Sequence, residues 1–273
     1  MDLTERTFRT GTMTINYAEG PDAGPAIVML HGMTGDWQGF QGLMSRLAGE
    51  WHAYACDMRG HGKSSRGADS YRLLDYEGDA LVFLEGVSGP AVLLGHSLGA
   101  LIALLCAADR PGLARGLVLL DPPVYVRNSP VGTHSGVEDW FSWVYRTVKD
   151  GPAFDRIMEE CRLREPDADE QGLRAMALRV SRVAPGAVGA ALSDRMGDGA
   201  DLEAALKRLR CPTLVIRGDW KNGACVRDED ADWIRANATA ARVVRISGGS
   251  HGFLWERSEE TTGLIREFLK TLS

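Results

Sequence analysis

Short apolar runs recur along the chain and alternate with stretches of helical spacing. Residues 26–30, 51–56, 91–94, 115–120, 213–217 and 242–246 read as strands. They are too short for helices and rich in the side chains that fill a sheet. Ahead of them, residues 6–10 and 12–17 alternate around Gly11 like a short hairpin. Helical spacing marks 37–47 (Trp37, Phe40, Met44, Leu47), 71–87, 228–236 and 256–272, and 100–108 is apolar throughout, as a helix buried on all sides would be. Strands and helices in alternation predict an α/β fold, a mostly parallel sheet with helices on both faces. From 124 to 210 no strand pattern appears, and Gly151-Pro152, Glu165-Pro166 and Pro185-Gly186 punctuate helical periodicity. That stretch is too long for a structureless loop, so a helical insertion after the sixth strand is expected, with residues 1–123 and 211–273 forming the core.

One run stands apart. Residues 91–94 enter Gly95-His96-Ser97-Leu98-Gly99 and continue without a break into the apolar helix. A serine on a sharp strand-to-helix turn between two glycines has its hydroxyl lifted clear of the backbone, at a helix N-terminus whose free amides favour an oxyanion. This G-x-S-x-G pattern in its required context nominates Ser97 as a nucleophile. His31-Gly32, Asp57, Asp121, Asp219 and His251 likewise each follow a predicted strand. Ligands of parallel sheets bind beyond the carboxyl ends of the strands, so these chemical groups should share one rim.

Composition narrows the picture. The net charge is −6 with basic residues scattered, which gives no footprint for nucleic acid or an anionic membrane. No apolar stretch approaches the roughly 18 residues of a membrane span, and the polar start Met1-Asp-Leu-Thr-Glu-Arg is unlike a signal peptide. Five cysteines lie far apart without C-x-x-C spacing, so neither a disulfide framework nor a metal site is expected, and the default is a reduced, cytoplasmic protein. Neither a Walker loop nor a dinucleotide fingerprint is present, and no cofactor is implied.

His31-Gly-Met-Thr-Gly-Asp36, Asp57-Met-Arg-Gly-His-Gly-Lys-Ser64, Gly95-His-Ser-Leu-Gly99 and Gly248-Gly-Ser-His251 together resemble the α/β-hydrolase fold family over nearly the whole chain. The resemblance implies an eight-stranded sheet with a helical cap at 124–210. It also implies His251 as general base, and an oxyanion hole built from the backbone N–H groups of Met33 and Leu98. His31, His96 and His61 are better placed to shape motif loops, and His52 and His134 carry no site signal. Members that open epoxides use an aspartate at the elbow, so a serine there implies acyl transfer. The third triad member departs from the family pattern: the position three residues after Gly218 holds Lys221. Asp121, at the end of the strand after the elbow, is preferred as the acid, with Asp219 as the alternative.

Trp37, Trp140, Phe141, Trp143 and Phe253 are candidates for an apolar substrate pocket, with Trp255 nearby. Arg127, Arg146 and Lys149 are better read as solvated charges than as ligands of a carboxylate. The expected protein is a serine hydrolase, monomer or homodimer, acting on a small hydrophobic ester, thioester or lactone. The alternatives are a C–C bond hydrolase of a β-diketone-like substrate and a catalytically weak ligand receptor on the same fold.

Overall fold

The computed structural model describes residues 2–11, 13–124, 135–193 and 195–272; Arg127 and His134 lie outside them. Eight strands form one sheet: β1 (Thr4–Thr10), β2 (Met13–Glu19), β3 (Ala26–Leu30), β4 (His52–Cys56), β5 (Ala91–His96), β6 (Ala114–Leu120), β7 (Thr213–Arg217) and β8 (Ala241–Arg245). The helices are α1 (Gln41–Leu47), α2 (Leu73–Phe83), α3 (Leu98–Asp109), α4 (Ser135–Val148), α5 (Phe154–Arg164), α6 (Glu170–Ser181), α7 (Pro185–Leu192), α8 (Leu202–Arg208), α9 (Asp228–Asn237), α10 (Phe253–Glu256) and α11 (Ser258–Leu269). Strand order is β1-β2-β4-β3-β5-β6-β7-β8, and β2 alone runs opposite to the other strands.

The alternation of side chains along each strand divides the core in two. Val28, Leu30, Leu93, Leu117, Leu119 and Val215 face α2, α3, α8 and α9. Ile27, Met29, Val92, Leu94, Val118 and Ile216 face α1 and α11 on the other side. Both faces are covered, which is why the central strands read as unbroken apolar runs. The elements differ from the sequence pattern mainly at helix ends. The helix expected from residue 37 begins as a 3-10 turn at Trp37–Phe40, and the one expected over 71–87 widens after Phe83 into a π-type turn, Leu84–Ser88. The C-terminal helix is broken at Arg257 into α10 and α11. Within the 124–210 stretch, α4 packs on α5, α6 and α7, whereas α8 packs on α3 and α9.

Register carries the chemistry-bearing ends to one rim. His96 pairs with Leu120 and Leu120 with Ile216, so Ser97 and Asp121 leave neighbouring strands at the same height. The backbone continues the ladder there: Ser97 N–H donates to Leu120 O at 2.9 Å and Asp121 N–H to Ile216 O at 2.8 Å.

Helix α3 is buried from Leu98 to Ala108, and its first turn comes closer to the sheet than a side chain would allow. A Cβ on Gly99 would stand 2.0 Å from Leu30 O, and one on Gly95 would stand 2.1 Å from Gly99 O. Gly78, exposed within α2, has open space around it. Gly99→Ala should therefore destabilise the fold by about 3 kcal/mol or more, because backbone has to move. Gly78→Ala should stabilise it by roughly 0.5–1 kcal/mol through helix propensity. Urea denaturation of the two variants beside the parent checks both signs.

Candidate active site

Ser97 has φ 53° and ψ −118°, a conformation that L-residues rarely adopt, and it caps the N-terminus of α3. The bend turns the chain from β5 into α3 within one residue. The amide of Leu98 belongs to the first helical turn, which has no acceptor within the helix. The loop after β3 lies directly against the turn, since a Cβ on Gly32 would meet Ser97 Cβ at 3.2 Å. Met33 is the next residue along that loop.

On the neighbouring strand, Asp121 is fully buried and also has a positive φ, 46°. Its Oδ2 accepts from His251 Nδ1 at 2.7 Å and from the backbone N–H of Cys225 at 2.7 Å, while Oδ1 accepts from Val226 N–H at 3.3 Å. Three donors thus hold the carboxylate in a fixed orientation beneath the imidazole. Cys225 Sγ lies 3.4 Å from the same Nδ1. Burial alone would depress the His251 pKa. The Cys225 sulfur and the Asp121 carboxylate outweigh it and hold the pKa above its ordinary 6.5.

Asp219, the alternative acid, is engaged elsewhere. Its Oδ2 accepts from Gly248 N–H at 2.6 Å and its Oδ1 pairs with Arg245 Nε at 3.4 Å. A 3-10 turn, Trp220–Asn222, follows at once and leaves the carboxylate clasping the loop that leads to His251.

Three other histidines are buried at this rim, each with its pKa depressed by burial: His31 to about 4, His61 to about 3 and His96 to about 3. As neutral rings they tie loops together. His31 Nδ1–H donates to Gly32 O at 2.8 Å while its Nε2 accepts from Met58 N–H at 3.0 Å. His61 Nδ1–H donates to Arg59 O at 2.9 Å and its Nε2 accepts from Thr34 N–H at 3.2 Å. His96 Nε2–H donates to His251 O at 2.9 Å, so the residue before Ser97 fastens the loop that bears His251. Asp57 has a similar duty: it accepts from Trp37 N–H at 2.8 Å, Asn16 Nδ2 at 2.9 Å and Lys63 N–H at 2.9 Å.

Ser97, Leu98, Met33 and His251 line a cavity of about 820 Å³. Of the five aromatic residues expected at a pocket, Trp140 and Phe141 are in its wall. Trp140 also reaches the loop after β3, its Nε1–H donating to Thr34 Oγ1 at 3.0 Å. The other three lie away from the lining. Trp37 is buried in the α1-side core with its Nε1–H on Glu5 Oε1, 2.6 Å away. Phe253 is fully buried in the same core, because the first turn of α10 directs it under the sheet edge. Trp143 stacks behind Trp140, ring centroids 5.1 Å apart, and Arg164 lies over both rings. Trp255, two residues beyond Phe253, lines the cavity instead and meets His96 edge-on at 5.0 Å. Arg146 and Lys149 are exposed. Among the described residues, Arg179 of α6, which the sequence pattern did not single out, brings a guanidinium to the cavity wall, with Asp36 nearby.

Comparison with known proteins agrees with this architecture. The chain is 28% identical over 227 residues to a 2-(acetamidomethylene)succinate hydrolase of Mesorhizobium japonicum, covering 78% of this chain and 77% of the relative. It is 29% identical over 254 residues to a pimeloyl-[acyl-carrier protein] methyl ester esterase of Stenotrophomonas maltophilia, covering 92% and 95%. The crystal structure of an enol-lactonase from Burkholderia xenovorans superposes with a TM-score of 0.74 at 22% identity, over 97% of this chain and all (100%) of the other, a likeness of fold. No helix among the described residues is long and apolar enough to cross a membrane. The model of the alpha/beta hydrolase family matches residues 27–263, and the chain belongs to that family.

Proposed function

We propose that the protein is a serine hydrolase that cleaves a hydrophobic carboxylic ester or lactone through an acyl-enzyme on Ser97. The observation that carries this reading is the convergence on one cavity of a serine at a strained strand–helix turn and a histidine bonded through Nδ1 to a buried carboxylate. In this mechanism His251 Nε2 takes the Ser97 proton as Oγ attacks the substrate carbonyl, and later returns it to the leaving alcohol. Asp121 fixes the tautomer with the proton on Nδ1 and stabilises the imidazolium as it forms. The amides of Leu98 and Met33 receive the oxyanion, fixed before charge develops. A water activated by the same histidine then hydrolyses the acyl-enzyme. The esterase relative, matched over nearly its full length, supports ester chemistry, and the cavity's apolar walls support a hydrophobic acyl or alcohol group.

A second reading concerns the substrate rather than the reaction. Arg179 at the cavity wall favours an ester that also bears a carboxylate, in keeping with the succinate named for the Mesorhizobium relative.

A fluorophosphonate should label Ser97, and Ser97→Ala should abolish the adduct in intact-mass spectra and lower kcat by roughly 10⁵–10⁶-fold. An unlabelled, folded parent protein defeats the proposal, as does turnover of β-diketones without turnover of any p-nitrophenyl ester or lactone. Asp121→Asn should cost about 10⁴-fold in kcat, whereas Asp219→Asn, which keeps an acceptor for Gly248, should stay near the parent rate.

The pH profile follows from the raised His251 pKa. Only the neutral imidazole can accept the serine proton, so kcat/KM should rise with pH through an acid limb above 6.5, and Asp121→Asn should move that limb down. For substrate choice, Arg179→Gln should raise KM for the monomethyl ester of a dicarboxylic acid and leave KM for the methyl ester of a monocarboxylic acid unchanged. Equal changes for both esters would dismiss the carboxylate reading.

A further inference from the structure

A sulfur that the hydrolytic mechanism does not use stands beside its proposed base. Cys225, in the loop between β7 and α9, is buried against the cavity, with Sγ 3.4 Å from His251 Nδ1. One donor atom from each of Asp121, Cys225 and His251 lies within 4.8 Å of the others. The three come from separate loops, 104 and 26 residues apart in sequence, so no ligand spacing announces them. Both Cys225 and His251 line the cavity, which gives an ion a route from solvent.

We propose that Asp121, Cys225 and His251 form an inhibitory site for a thiophilic divalent cation, Zn²⁺ or Cd²⁺ being the chemical class. A thiolate, an imidazole nitrogen and a carboxylate oxygen are a common donor set for such ions, with the cavity side open for water as fourth ligand. Tetrahedral bonds of ordinary length would separate sulfur and nitrogen by about 3.6 Å and nitrogen and oxygen by about 3.3 Å. The sulfur–nitrogen pair is already near that value at 3.4 Å. The nitrogen–oxygen pair must open from 2.7 Å as the proton between them departs. Asp121 keeps the N–H groups of Cys225 and Val226 as partners throughout.

The consequence is a tautomer switch. The metal takes Nδ1 and the Cys225 sulfur, any protons on those two atoms leave for solvent, and the ring's one remaining proton sits on Nε2. Nε2 then carries a hydrogen and has no lone pair for the Ser97 proton. The cation thereby stops turnover without touching the serine. Inhibition rests on the proposed role of His251, whereas binding does not.

Metal-free protein titrated with Cd²⁺ should develop the ultraviolet thiolate-to-cadmium charge-transfer band, saturating at one equivalent. Cys225→Ser retains the backbone N–H on Asp121 and should lose the band; Ser97→Ala should keep it. Zn²⁺ should extinguish the low-field imidazole proton shared by His251 and Asp121 in NMR spectra. It should also inhibit ester turnover, with sensitivity falling by roughly ten-fold or more in Cys225→Ser, each variant normalised to its own metal-free rate. A band of parent strength in Cys225→Ser overturns the site, and a low-field proton that survives saturating Zn²⁺ overturns the switch. If the chain turns over no ester at all, a band lost in Cys225→Ser still upholds the site and the hydrolase proposal alone fails.

Discussion

Everything at the rim depends on how closely the backbone of α3 approaches the strands beside it. Ser97 can hold its positive φ only because Gly95 and Gly99 let the turn close against Leu30 and against itself. A non-glycine residue in so sparse a region costs about 1–3 kcal/mol. Leu101, Ile102, Leu104 and Leu105 are all buried on the helix that follows, and each such side chain contributes roughly 1.5–3 kcal/mol by leaving water. One or two of them offset the strain. The helix is therefore more than a carrier for the turn: its burial on every side over-determines a backbone that would otherwise relax. That also explains why its sequence lacks the polar stripe of an ordinary surface helix.

The same rim shows what separates a histidine whose pKa is raised from those whose pKa is depressed. His31, His61, His96 and His251 lie in loops of one cluster, and desolvation acts on all four. For His31 and His61 the opposing hydrogen bond comes from a neutral carbonyl, which is weaker than burial, and the rings stay uncharged. His251 alone meets the Cys225 sulfur at 3.4 Å and a carboxylate through a 2.7 Å bond, and its pKa moves the other way. The neutral rings are consequently free to act as fixed donor–acceptor struts. His96 spans from the serine turn to the His251 backbone, so the separation of the two proposed reacting groups is set by a strut rather than by loop packing alone.

Most of the architecture was legible in the sequence because it rests on local pattern. The strands at 26–30, 213–217 and their neighbours are apolar runs bounded by turn residues, and the sheet leaves them in those positions. The serine turn was legible for the same reason. Pairing across the rim was less so: whether Asp121 or Asp219 meets His251 depends on two loop shapes, and nothing near either aspartate encodes the shape of the other loop. In the structure Asp219 is captured locally by Gly248 and Arg245, which leaves Asp121 beside the imidazole. The pocket was read worst. Proximity in sequence to His251 made Phe253 a candidate, but consecutive helical residues point about 100° apart, so Phe253 enters the core while Trp255 reaches the cavity. Arg179 escaped notice because α6 is brought to the cavity by its packing on α4 and α5, which no local pattern announces.

That packing also links the helices above the sheet to the loop whose amide is the proposed oxyanion donor. Trp140 hydrogen-bonds Thr34, itself at φ 64°, one residue after Met33. Behind it, Trp143 and the guanidinium of Arg164 brace the indole, and Asp139 pairs with that guanidinium at 3.3 Å. A side chain held on two sides cannot shift without loosening the others, so a displacement of α4 would be felt at Thr34 as a change in loop position. A ligand that filled the cavity and pressed on Trp140 would act on the same loop. The receptor alternative and the hydrolase proposal thus draw on one mechanical connection, and they differ in whether the bound molecule carries a carbonyl that Ser97 can attack.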